Sequence, residues 1–150
     1  MSSNSSQQTR VGYLLKVAQH ALRARMDDRL RDFDLTTGQF ALMIALKEVP
    51  SASNAELSRR CFITPQSVSG LTVGLLSLGM IERAASRTHG RIIEIRLTAD
   101  GRARLLKAEA VLTKEVEERM LKGLDSSERR MLASFLQTCV KNLGDADESE

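Results

Sequence analysis

Between its helical stretches this chain changes to a period of two. In Ile93-Glu94-Ile95-Arg96-Leu97, apolar and charged residues take turns, as they do in a half-buried strand. A single strand needs a partner for its backbone groups. Glu82 to Ser86 is placed to pair with it antiparallel across the polar turn Arg87-Thr88-His89-Gly90-Arg91, where Gly90 supplies conformational freedom. Elsewhere the apolar residues recur every three to four positions, and only two Pro interrupt the chain, which disfavours a many-turned all-β fold. The pattern predicts a mainly α protein (α+β) carrying one small β-hairpin tipped with arginine.

The remaining punctuation is made of helix caps. Thr36 with Gln39, Ser53 with Glu56 and Asp125 with Glu128 have capping-box spacing. Thr64-Pro65 is an N-cap followed by proline at the first helical position, and Thr98 opens another helix with Asp100 in its first turn. Helices are predicted over 10–32, 37–49, 54–61, 65–78, 99–122 and 126–143. The first carries the stripe Val11, Leu14, Leu15, Ala18, Leu22, Met26, Leu30 and Phe33. The fifth carries Leu105, Leu112, Val116 and Met120, and the last carries Leu132, Phe135, Leu136, Cys139, Val140 and Leu143. Helices this long protrude from a small core unless they pack on something. A second copy related by two-fold symmetry is the economical partner, and an intramolecular bundle is the alternative. Residues 10–33 and 99–143 are accordingly read as a dimerisation region around a central unit, 34–98, with 1–9 and 144–150 as disordered ends.

Charge narrows the class of partner. The formal net charge is +3, but four acids crowd the last six residues. Without them the body has 22 basic against 15 acidic residues, and Arg59 to Arg91 holds five Arg and one acid, Glu82. A basic middle with an acidic tail suits a polyanion, most simply nucleic acid; a solubilising surface charge is the other reading. The longest fully apolar run, Phe40 to Leu46, is far shorter than the ~20 residues of a membrane span. The polar start MSSNSSQQT lacks the apolar segment of a secretory signal. Cys61 and Cys139 lie far apart, which argues against a disulfide scaffold or a cysteine-rich metal site and for the reducing cytoplasm.

Helix, short turn, helix and hairpin follow one another through the middle of the chain. The second helix of the pair places Val68, Leu71, Leu75 and Leu78 inward and Gln66, Ser67, Ser69, Gly70 and Thr72 outward. The outward residues are small or hydrogen-bonding and uncharged, so the helix can enter a major groove, where Gln pairs with adenine and Ser or Thr with several bases. Its N-terminus suits a phosphate. A helix-turn-helix followed by a basic hairpin is a winged helix, with the second helix as reader and the wing laying Arg along the minor groove. The DNA-binding candidates are Arg59, Arg60, Thr64, Gln66, Ser67, Ser69, Gly70, Thr72, Arg83, Arg87, His89 and Arg91, and the partner is double-stranded DNA.

The ordered set of motifs resembles the MarR family (multiple antibiotic resistance regulators). The residues that carry the likeness are Leu35-Thr36-Thr37-Gly38-Gln39-Phe40, Ala55-Glu56-Leu57-Ser58, Leu78-Gly79-Met80-Ile81-Glu82-Arg83, and Gly90-Arg91 through Leu97-Thr98-Ala99-Asp100-Gly101, spread over about residues 10 to 143. The resemblance implies a homodimer built from the first, fifth and sixth helices. It also implies one winged helix per subunit on a pseudo-palindromic operator, repression as the mode of regulation, and a small aromatic or phenolic effector. The family layout, with one phenol, one imidazole and one ammonium near apolar residues, suggests Tyr13, Lys16, His20, Phe40 and Met43 as effector-binding residues. Two departures stand out. The family's wing commonly carries Asp two residues before the arginine matching Arg91, where this chain has His89. Many members also carry Arg or Lys in the reading helix, where this chain has no charge and two glycines, Gly70 and Gly74. Those glycines serve either a close backbone approach to DNA or the packing of a neighbouring helix.

Other chemistry is poorly supported. His20 and His89 share no local motif with a metal ligand, both cysteines read as inert thiols, and the methionines read as adaptable core. No phosphate loop, nucleophile elbow or HExxH motif is present, so neither an enzyme nor a cofactor is expected. The competing reading is a winged-helix interaction scaffold with little DNA affinity, for which the uncharged reading helix is the best argument.

Overall fold

A computed structural model describes residues 10–144. In chain order it comprises α1 (Val11–Leu30), a 3-10 turn (Arg31–Phe33), α2 (Thr37–Glu48), α3 (Asn54–Cys61) and α4 (Pro65–Ser77). Strands β1 (Ile81–Ala85) and β2 (Ile93–Leu97) come next. The chain then runs through α5 (Ala99–Leu112), a π-helical turn (Thr113–Glu117), the short α6 (Glu118–Met120) and α7 (Ser126–Gly144). The expected tails lie outside the described residues, except Gly144, which closes α7.

The predicted caps form. Thr36 accepts the Gln39 amide at 3.2 Å while the Gln39 side chain accepts the Thr36 amide at 3.0 Å, a reciprocal box. Asp125 and Glu128 make the same exchange at 2.9 and 2.8 Å. Ser53 caps α3 through the Glu56 amide at 3.2 Å, but the Glu56 carboxylate turns instead to Arg60. Thr98 caps α5 through the Gly101 amide at 3.0 Å.

The hairpin is antiparallel, with Ile81 opposite Leu97, Arg83 opposite Ile95 and Ala85 opposite Ile93. Ala52, in the loop before α3, adds a third rung by exchanging two backbone bonds with Ile95 at 3.1 and 2.8 Å. Ile95 and Leu97 are buried as their alternation predicts. Ile93 is 61% exposed, because it stands where the hairpin projects past the core.

Leu30, Leu42, Met43, Leu46, Leu57, Leu75 and Leu105 are wholly buried and form one cluster with Val68, Ile95 and Ala108. This cluster unites the end of α1, the helix-turn-helix and α5. It corrects the reading of the fifth helix: Leu105, Leu112 and Val116 face their own chain's core, and only Met120, 51% exposed, continues that stripe outward. By contrast, α7 has no buried residue, and Phe135, Val140 and Leu143 stand open, as do Val11 and Leu14 on α1. That is not an intramolecular bundle. Polar contacts tie the arm (α1 with α5 to α7) to the head (α2 to β2), and α5 to the end of the first segment. The Thr37 amide donates to Asp27 at 3.2 Å and the Thr37 hydroxyl donates to the same oxygen. Lys47 pairs with Glu109 at 2.8 Å, and Arg104 donates to the Phe33 carbonyl at 3.0 Å.

Candidate nucleic-acid interface

A tight turn joins α3 to α4. Phe62 closes α3 in the left-handed region, at φ 54°, and its side chain is almost fully exposed. The Ser58 hydroxyl donates to the Ile63 carbonyl at 2.5 Å, which holds the chain as it reverses. Thr64 then accepts the Ser67 amide at 3.2 Å, and Pro65 occupies the first helical position with its fixed φ.

The faces of α4 follow from its contacts with the core. Val68, Thr72 and Leu75 are buried, with Leu71 and Leu76 packed against the cluster. The expectation for Thr72 is therefore corrected. It is 1% exposed, and its hydroxyl donates to the Val68 carbonyl at 2.7 Å, so the polar group is satisfied inside the helix. Leu78, expected inward, is the exposed C-cap. The outward stripe is Gln66, Ser69, Gly70, Val73 and Ser77, and Val73 is 63% exposed. The two glycines separate. A Cβ at Gly70 would meet nothing within 4 Å, whereas one at Gly74 would lie 2.6 Å from the Gln39 amide nitrogen. Gly74 is thus a packing glycine, and Gly70 opens the outer face.

The other DNA candidates, Arg59, Arg60, Thr64, Gln66, Ser67, Ser69, Arg83, Arg87, His89 and Arg91, are all exposed. Arg60 pairs with Glu56 at 3.2 Å; among the described residues Arg59, Arg83, Arg87 and Arg91 make no ion pair. Arg83 and Ile93 of the hairpin line a cleft whose other side is formed by Ser53 and Asn54 at the start of α3. Asn54 also reaches Ser69 at 3.4 Å, which joins α3, α4 and the hairpin in one polar surface. Sequence spacing did not single out Asn54, since an asparagine after a cap is ordinary.

The wing is organised by Ser86. Its hydroxyl, buried at the hairpin's end, accepts the amides of Thr88 and His89, each at 3.3 Å. Its own amide donates to the Ile92 carbonyl at 2.8 Å. A serine turn thus holds this wing, with His89 and Arg91 projecting from it. Below it, the hydroxyl of Ser51 and then that of Ser86 hold the Glu94 carboxyl below its usual range, with Arg96 and His89 adding attraction.

On the other side of the head, α1, α2 and α5 flank an open cavity of about 360 Å³. Leu22, Met26, Phe40, Ile44, Leu112 and Val116 form its apolar wall, and Thr113, Val116 and Glu117 of the π-helical turn line it directly. Such turns are rare, and they concentrate at functional sites because they displace side chains from ordinary helical register. Of the effector residues suggested by the resemblance, only Phe40 lines the cavity. Tyr13, Lys16 and His20 lie exposed further up α1 and do not line it, and Met43 faces the core. Burial pushes the Cys61 thiol upward, away from the reactive thiolate. No cluster of metal-ligating side chains occurs among the described residues, and no described helix is long and apolar enough to cross a membrane.

Comparison with known proteins places this geometry. Residues 33–92 match the model of the MarR family. The HTH-type transcriptional repressor Rv2887 of Mycobacterium tuberculosis is 33% identical over 127 residues, covering 85% of this chain and 91% of the repressor. The crystal structure of Rv2887 in complex with salicylic acid superposes with a TM-score of 0.71 at 32% identity, over 87% of this chain and 96% of the other. The transcriptional repressor CouR, bound to a 23-mer DNA duplex, gives a TM-score of 0.81 at 26% identity, over 89% and 94% of the two chains.

Proposed function

This chain belongs to the MarR family, and we propose that it is a homodimeric transcription repressor whose hold on DNA is controlled by a small aromatic or phenolic effector. The observation that carries the reading is the joint surface of α4 and the wing. It is an uncharged polar helix face free of core contacts, flanked by Arg83, Arg87 and Arg91 without acidic partners among the described residues. Relatives that are repressors, one crystallised on a DNA duplex and one with salicylic acid, support it. In this reading Gln66, Ser67, Ser69 and Gly70 meet base edges, and Thr64 caps a helix end that meets phosphate. Arg59, Arg60, Arg83, Arg87, His89 and Arg91 supply the backbone and minor-groove contacts. Residues 34–98 form the DNA-binding unit. The open apolar faces of α1 and α7 form the seam with a second copy, which sets two reading helices about 34 Å apart on one face of a pseudo-palindromic operator. The protein works without enzymatic chemistry, on DNA in the cytoplasm.

Effector control follows from where the cavity lies. Its walls come from the arm, α1 and the π-helical turn, and from the head, α2. A ligand wedged there favours one arm-to-head angle, and that angle fixes the spacing of the two reading helices. Coupling is reciprocal: whatever the effector costs DNA affinity, DNA costs effector affinity, typically about 1–3 kcal/mol.

The test is binding of the full-length protein to a duplex selected from a randomised pool, over a range of salt. Arg91→Ala is expected to weaken selected and random duplex by similar factors and to lower the salt slope by about one unit for each phosphate no longer neutralised. Unchanged affinity and slope would remove the wing from the interface. A pool that yields no preferred sequence would favour the scaffold.

A further inference from the structure

We propose that Val73 reads the 5-methyl group of a thymine in each half of the operator. The inference rests on the DNA-reading function proposed above and adds to it a contact made by an apolar side chain.

Val73 lies seven residues beyond Gln66, on the same outward stripe as Ser69 and Gly70. It is 63% exposed on a helix whose opposite face is fully committed to the core. A β-branched residue is not a good helix former, so nothing local favours valine at a solvated mid-helix position. Its neighbours sharpen the point. The Ser69 hydroxyl donates to the Pro65 carbonyl at 3.1 Å, and the Ser77 hydroxyl donates to the Val73 carbonyl at 3.2 Å. Ser67 and Thr64 pair their hydroxyls at 3.0 Å. Much of the hydroxyl capacity of this face is spent on its own helix. What the stripe presents unshared is the Gln66 amide at one end and the methyl groups of Val73 at the other. Between them Gly70 leaves open space.

Base edges in the major groove offer hydrogen-bonding groups and one apolar group, the thymine 5-methyl. An amide suits adenine and a pair of methyls suits thymine. At 1.5 Å per residue the two side chains are separated by roughly 10 Å along the helix axis. That is about three base-pair steps, so one reading helix spans both contacts within a half-site. The absence of a side chain at Gly70 lets the helix sit low enough for a short valine to touch the groove floor.

The experiment uses the full-length protein and a duplex it has selected from a randomised pool, with uracil replacing each thymine in turn. Uracil keeps every hydrogen-bonding group and removes only the methyl. We expect one thymine per half-site whose replacement weakens binding about fourfold, the equivalent of one buried methyl-sized group. Val73→Ala, a better helix former, should bind the parent duplex more weakly by a similar factor. It should also no longer distinguish thymine from uracil at that position, while keeping its sensitivity at other positions. A selected duplex on which every thymine can be replaced without loss would overturn the inference alone. So would a sensitive thymine that stays sensitive in Val73→Ala. A pool that yields no preferred sequence overturns the DNA-reading function and this contact with it.

Discussion

Adding the same methyl group at three glycines should give three different results. At Gly101 an added Cβ would lie 1.9 Å from the Met80 carbonyl oxygen and 2.8 Å from its carbon. A carbon–oxygen contact normally stands at about 3.3 Å, so one backbone must retreat by roughly 1.4 Å. The Met80 carbonyl cannot retreat freely. It accepts the Thr98 amide at 3.1 Å, and the Thr98 hydroxyl donates to the Gly79 carbonyl at 2.7 Å, which anchors the hairpin root to the start of α5. Overpacking costs about 1–3 kcal/mol or more, and a strained or broken hydrogen bond about 1 kcal/mol further. The gain in helix propensity returns only about 1 kcal/mol. Gly101→Ala should therefore lose roughly 2 kcal/mol or more. At Gly74 the obstacle is the Gln39 amide, the far end of a flexible side chain. Displacing it sacrifices the capping box of α2, worth about 1 kcal/mol, against a propensity gain of similar size, so the change should be near neutral. At Gly70 nothing lies within 4 Å. Gly70→Ala should raise stability by up to about 1 kcal/mol while weakening operator binding roughly tenfold, because the added methyl holds the helix off the groove floor. Urea unfolding at one fixed protomer concentration measures the stabilities, and titration against the selected duplex measures the affinities. Gly101→Ala within about 0.5 kcal/mol of the parent would refute the packing argument. A stabilised Gly70→Ala with undiminished DNA affinity would refute the close approach.

Two further outcomes are expected. Leu136→Glu places a charge in the apolar face of α7, where burial of an unpaired charge is costly; sedimentation should report a weakened dimer, and operator binding should fall with it. A stable wild-type monomer at micromolar concentration that still binds its operator tightly would contradict the seam. Asp27 titrates below the ordinary aspartate value, chiefly because the Thr37 hydroxyl, and after it the Thr37 amide, donates to its carboxylate. A depressed folded-state pKa gives stability that is present above the unfolded value of 3.8 and is lost as the pH falls through the folded one. Asp27→Asn should therefore flatten the fall in stability between about pH 5 and pH 2, measured by thermal unfolding; an unaltered slope would mean that the tie between α1 and α2 contributes nothing.

What could be read from the residues was whatever is local. Cap chemistry places the starts of α2, α3, α4, α5 and α7 because Thr36, Ser53, Thr64, Thr98 and Asp125 act within three residues of themselves. The period-2 stretch from Ile93 to Leu97 finds the hairpin for the same reason, since alternation is a property of neighbours. The family motifs extend this to the order of elements and to the DNA-reading role. What the residues alone left open depends on which surfaces meet. Thr72 and Val73 are adjacent, small and β-branched; residue type favours the polar threonine for the outer face, while helical spacing from Val68 and Leu75 favours the inner one. The packing of α4 against the core decides it: the Thr72 hydroxyl, expected outward, is buried, and Val73, to which no face was assigned, is exposed. The same holds for Gly70 and Gly74, alike in sequence context until Gln39, from an earlier helix, packs against one of them. The stripe on α5 had the spacing of an interface, yet the core claimed it, because the short helices α2 to α4 need a third wall to exclude water. The cleft between α1 and α2 follows the same rule, and of the effector residues suggested by the resemblance only Phe40 lines it. The cavity exists only where α1, α2 and the π-helical turn diverge, and a helix's own sequence does not record where its neighbours stop touching it.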